Sequence, residues 1–118
     1  MKIFSISPSK RFEIQVKAWE ARNSLWVNSP IIWDAEQRST VFSFKDECWS
    51  VDSATWVGDS TVRRLLRKFP GNHSPDHIRV EVACLATTAL AHGTAGMAAF
   101  STRLDELEVA LDHKLKWS

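Results

Sequence analysis

Arg63, Arg64, Arg67 and Lys68 place four cations within six residues, and the chain holds six tryptophans and no tyrosine. Clustered guanidinium and ammonium groups recognise carboxylates and phosphates. An exposed tryptophan anchors a protein interface, and a buried one fills a core. Other groups with chemical potential are sparse. Cys48 follows Asp46 and Glu47, an acidic setting that disfavours a thiolate. Cys84 stands in an apolar run and reads as a small core residue. His73 and His77 are four apart, as two metal ligands on one helix face would be. However, Ser74-Pro75 between them is a helix-start signature that leaves His73 outside, and no Cys or His completes a ligand set. No metal site and no cofactor is expected. The four glycines, Gly58, Gly71, Gly93 and Gly96, form neither a phosphate loop nor a dinucleotide fingerprint. No catalytic residue is assigned.

The cations lie in the most sharply patterned stretch of the chain. In Asp59 to Gly71, Val62, Leu65, Leu66 and Phe69 fall at i, i+3, i+4 and i+7, a helical stripe. Asp59 or Ser60 can cap its first turn, and Pro70-Gly71 ends it. The spacing predicts a helix over 59–69, with Arg63, Arg64, Arg67 and Lys68 on its outer face. Before it, the pattern is that of strands. Phe12, Ile14, Val16 and Ala18 alternate with Arg11, Glu13, Gln15 and Lys17. Lys2 to Ile6, Leu25 to Val27, Ile31 to Trp33, Thr40 to Phe44 and Trp49 to Val57 read as further extended segments, with a break at Asn28-Ser29-Pro30 and a hairpin joining Ile31 to Trp33 with Thr40 to Phe44. Short connections imply an antiparallel meander. On this parity Trp19 falls on the polar face of its strand, which makes it the candidate interface anchor.

After the proposed helix, Ile78, Val82, Leu85 and Ala89 fall at helical spacing, with Gly93 as a natural C-terminal stop. Ile78, Val80 and Val82 also alternate with Arg79 and Glu81. The helix is preferred, because a strand of 13 residues would be unusually long. Phe100, Leu104, Leu107, Leu111 and Leu115 predict a last helix. Thr102 with Asp105 resembles a capping box, and the outer face is acidic. The expected fold class is therefore α+β, a single domain over 1–118. It has an N-terminal antiparallel sheet (1–58 mainly strands) covered on one face by two or three C-terminal helices (59–118 mainly helices).

The bulk composition restricts function. With 118 residues, 44% hydrophobic and 25% charged, the chain is an ordinary globular domain. A net charge of +1 argues against a protein that coats nucleic acid by bulk charge. Residues 59–73 carry four basic and one acidic side chain, so the basic excess is local. No secretory or membrane-spanning run is apparent, and reduced cysteines in a cytoplasm are expected.

These features fit a small cytoplasmic binding protein without catalysis that caps or inhibits a protein partner, using Trp19 as anchor and Arg63, Arg64, Arg67 and Lys68 as steering charges. In size and motif-poor character the chain is similar to the immunity proteins of bacterial toxin systems, contact-dependent inhibition included. That likeness implies neutralisation of one cognate toxin and carries over no residue. The alternative is a nucleic-acid-binding regulator using residues 59–69. Third is a small enzyme drawing on His92, His113 and the carboxylates near Asp112.

Overall fold

Phe12, Ile14 and Val16 are buried, and Glu13 and Gln15 between them are half-buried, so this segment is a strand with one face inward. The same two-residue period recurs in other strands, residues 61–68, 78–83 and 100–103 among them. The computed structural model describes residues 2–20, 26–68, 78–93 and 99–117. Within them lie β1 (Lys2–Ile6), β2 (Phe12–Glu20), β3 (Trp26–Asp34), β4 (Ser39–Ser43), β5 (Trp49–Val57), β6 (Thr61–Lys68), β7 (Ile78–Ala83), β8 (Thr88–Gly93), β9 (Phe100–Arg103) and α1 (Leu104–Trp117). They form two antiparallel meanders: sheet A, ordered β1-β2-β3-β4, and sheet B, ordered β5-β6-β7-β8-β9.

The expected α+β layout is overturned. The fold is mostly β, with one helix among the described residues, and the helical half expected over 59–118 is largely sheet B. Residues 59–69 are not a helix. Gly58, with φ of 75°, turns the chain, and β6 pairs with β5 from Thr61 to Lys68. The i, i+3, i+4 stripe was a coincidence of composition. The inward residues of β6 are Val62, Arg64 and Leu66, and the charge at the middle position conceals their alternation. Residues 78–90 are likewise not helical. Their alternation is that of a hairpin, β7 and β8, folded at Cys84 to Thr87. That turn contains no Gly, Pro or Asn. Thr87 itself adopts φ of 54°, so the usual punctuation is missing.

Sheet A matches expectation more closely, with one extension. β3 runs unbroken through Asn28-Ser29-Pro30, and Pro30 sits opposite Val16 on β2. Pairing with β4 reaches only from Asp34 to Ile31, so on that side Pro30 lies in an edge segment, where a missing N–H is tolerated. The final helix is present from Leu104, and Leu104, Leu107 and Leu111 are buried as the spacing predicts. Asp105 and Glu106 in its first turn complement the helix dipole. The proposed elements at Leu25, Phe69 to His77 and Thr94 to Met97 lie outside the described residues.

The inner faces of both sheets and the apolar stripe of α1 meet in one core. Phe12, Ile14 and Ile32 come from sheet A, Trp49, Leu66 and Val80 from sheet B, and Leu107 and Leu111 from the helix. Polar contacts fix how the layers meet. Trp56 Nε1 donates to Ser5 Oγ at 2.9 Å, and the Asn28 N–H donates to Ser50 Oγ at 3.0 Å, joining β5 to β1 and β3. The Glu108 carboxylate accepts from the N–H groups of Lys45 (2.7 Å) and Asp46 (2.9 Å), which docks α1 on the β4–β5 connection. At the other rim, Asp34 accepts from Arg11 Nε and Nη2 at 3.3 and 3.2 Å and from the N–H groups of Glu36 and Gln37 at 3.0 and 3.1 Å. Burial pushes this carboxyl up, but the Arg11 bonds and the backbone donors outweigh it and hold it below its ordinary value.

Candidate functional site

Strand alternation divides the four cations that the sequence groups together. Arg63 and Arg67 point outward from β6, and both are exposed. Arg63 Nε meets Glu81 at 3.0 Å on the neighbouring strand, in direct register. Arg67 Nε meets Asp52 at 3.3 Å on β5. Such exposed pairs contribute at most about 1 kcal/mol each and break readily for a partner. Lys68 is half-buried and structural. Its Nζ lies 2.7 Å from Asp112 on α1, 3.3 Å from Asp46, and 5.7 Å from the centroid of the Trp49 ring. Burial lowers its proton affinity, and the two carboxylates more than reverse that.

Arg64 is the correction of greatest consequence. It was expected on a solvent face with the other three; it is 1% exposed. Its neighbours across the strands are Ala54 on β5 and Val80 on β7, two small or medium side chains that leave room for a guanidinium. Arg64 Cζ lies 5.8 Å from the centroid of Phe42 and 5.9 Å from that of Phe44. Phe42 and Phe44 meet edge to face at 4.9 Å, and Phe44 stacks on Trp49 at 4.9 Å. Cation–π attraction offsets part of the burial cost. Even so, among the described residues Arg64 Nε, Nη1 and Nη2 and Trp49 Nε1 are buried with no hydrogen-bond partner. Burial moves the Arg64 guanidinium down to about 10, so it stays charged at neutral pH. Buried orphan donors are rare in native proteins, and several at one place mark a functional candidate.

Trp19 is also not the free anchor that its parity suggested. It is half-buried, and its Nε1 donates to Ser29 Oγ at 3.1 Å and to the Glu47 carbonyl at 3.2 Å. It braces the β4–β5 connection against the β2–β3 hairpin. Among the residues whose burial is described, the exposed tryptophan is Trp26, at 56%. It lies beyond the reach of the core on a strand whose parity alone would have placed it inside, opposite Glu20.

The outer face of sheet B is richer than the run of four cations implied. Across β6 and β7, Arg63 and Arg67 flank Leu65, and Leu65 is in register with exposed Arg79. Arg79 is in register with exposed His92 on β8, and Glu81 with exposed Leu90. Sequence reasoning missed Arg79 because residues 78–90 were assigned to a helix. The strand alternation of Arg79 and Glu81 was the signal that could have found it.

Reactive groups are poorly disposed for catalysis. Burial pushes the Cys84 thiol up to about 11. Burial and then Asp46 push Cys48 up. Among the described residues no three His, Cys, Asp or Glu side chains gather as a metal site would require, and no helix is long and apolar enough to cross a membrane. His73 and His77 lie outside the described residues. No family model matches the chain, and neither a curated protein nor a solved structure matches it.

Proposed function

We propose that this chain is a small non-catalytic binding protein that caps or inhibits a protein partner, and that the partner's acidic surface docks on the outer face of sheet B. The observation that carries this reading is the placement of Arg63, Arg67 and Arg79 around Leu65 on adjacent strands of an exposed sheet face. Arginine is enriched at protein interfaces, and a guanidinium can exchange a weak intramolecular carboxylate for one on a partner. Leu90, 37% exposed, adds apolar contact area on the same face. The carboxylates of Glu81 and Asp52 hold the same cations until an incoming acidic group displaces them. A cytoplasmic protein that neutralises a cognate bacterial toxin, as immunity proteins do, is the concrete form of this reading.

The test is co-production with the products of the genes adjacent to its own, screened for one that is toxic when produced alone. Growth protection and a purified stoichiometric complex are expected, and both should fail in Arg63→Glu with Arg67→Glu. Fluorescence polarisation with random-sequence DNA and RNA at two salt concentrations supplies the opposing outcome. Sub-micromolar, steeply salt-dependent binding abolished by the same double variant would overturn the protein-binding reading in favour of a phosphate-binding one.

A further inference from the structure

We propose that Arg64 is the anchor of an interior binding site for a small monocarboxylate with an apolar body, reached past the rings of Phe42 and Phe44. The site stands apart from the outer face of sheet B, since β6 presents Arg64 to the opposite side from Arg63 and Arg67.

The donors come first. Arg64 is 1% exposed and Trp49 is fully buried, and among the described residues the three guanidinium nitrogens and the indole Nε1 have no acceptor. Phe44 links the two donor groups, since its ring stacks on Trp49 and lies 5.9 Å from Arg64 Cζ. A guanidinium offers parallel N–H groups at the spacing of the two oxygens of a carboxylate.

Charge decides the anion. The other cations near this core are already matched: Lys68 by Asp112 and Asp46, and Arg11 by Asp34 and Glu36. One unmatched positive charge is neutralised by one negative charge. A phosphate dianion would bury a second charge without a partner. The surroundings decide the rest of the ligand. The Phe42 and Phe44 rings beside the guanidinium are apolar, and the Cys84 thiol that also acts on it is neutral, so the body attached to the carboxylate must be apolar too.

Access follows from burial. Phe42 and Phe44 are each 9% exposed, whereas every other apolar side chain of the core is at most 4% exposed. Their rings lie 5.8 and 5.9 Å from Arg64 Cζ and are the most exposed of that buried core. Phe42 is on the edge strand β4 and Phe44 directly follows it, so rotation of two side chains opens a path without breaking an interior ladder.

The experiment is a thermal melt of the purified full chain with acetate, butyrate, octanoate and decanoate, beside octanol, inorganic phosphate and chloride. The melting temperature is expected to rise with octanoate or decanoate concentration, as for a ligand that binds the folded state only. Octanol and inorganic phosphate should bind at least about tenfold more weakly, as the loss of a bidentate charged pair implies. Arg64→Met should abolish the response to carboxylate, and Arg64→Lys, which keeps the charge but not the fork, should weaken it by about tenfold. Should the methionine variant fail to fold, the lysine variant decides the matter by itself. No shift with any carboxylate up to about 10 mM, weaker than any specific site, would overturn the proposal. So would an equal shift in the variants, or an equal response to phosphate or chloride.

Discussion

Arg64 Cζ stands 5.8 Å from the centroid of Phe42, on the inner face of a sheet whose next residues, Arg63 and Leu65, face the other way. The placement is costly. Replacing buried charged groups by apolar residues of similar volume often raises stability by about 1–4 kcal/mol. Arg64→Met is therefore expected to shift the urea midpoint upward by an amount in that range when no ligand is added. The pH dependence has a definite sign. Burial lowers the folded value to about 10, below that of the unfolded chain, so between the two the unfolded chain binds more protons and stability rises with pH. The stability gap between Arg64→Met and the parent should be constant from pH 6 to 9 and should narrow above pH 10. A parent protein more stable than Arg64→Met at neutral pH would show that Arg64 has a satisfying partner.

Leu66 is fully buried and Leu65, its neighbour, is half-buried on the opposite face. Leu66→Ala should cost about 2–5 kcal/mol, the usual range for a leucine cavity. Leu65→Ala should cost far less, nearer the roughly 0.5 kcal/mol typical of surface changes. Equal losses at the two positions, measured by urea unfolding, would contradict the strand assignment of β6.

Asp34 joins Arg11 to the β3–β4 turn and is held below its ordinary value of 3.8 by the Arg11 bonds and two backbone donors, against the upward push of burial. A carboxylate lowered in the folded state contributes stability that is complete above its unfolded value and is lost as the pH falls through its folded one. Asp34→Asn should thus be less stable than the parent at pH 7, and the difference should shrink as the pH drops below 3.8. Urea midpoints of both proteins at pH 7, 4 and 3 check this. A difference that does not change with pH would assign the effect to lost hydrogen bonds and not to charge.

Sheet A was largely legible from sequence because Phe12, Ile14 and Val16 alternate cleanly with polar residues, and α1 because its leucines repeat over three turns. Sheet B was not, for two physical reasons. Arg64 occupies an inward position and so breaks the alternation of Val62 and Leu66, leaving a false helical stripe. The β7–β8 turn uses Thr87 in a left-handed conformation instead of Gly or Asn, so the hairpin read as one long element. Of the candidate site, Arg63 and Arg67 are exposed as expected, but on a strand and not on the helix the spacing predicted. Lys68 does not, because Asp112 draws it to the helix. Trp19 was misjudged because the loop ending at Cys48 covers what parity alone would leave open.

On the function proposed above, Arg63 and Arg67 steer an acidic protein surface onto sheet B. Stopped-flow association of the purified chain with the toxic partner identified by that co-production screen, at low and at physiological salt, tests it directly. For Arg63→Glu with Arg67→Glu, association should slow by about 10-fold or more at low salt, the order expected for electrostatic steering. Most of that loss should vanish at high salt, where the charges are screened. The claim is contradicted if no complex forms at micromolar concentration, or if the double variant associates as fast as the parent at both salt concentrations.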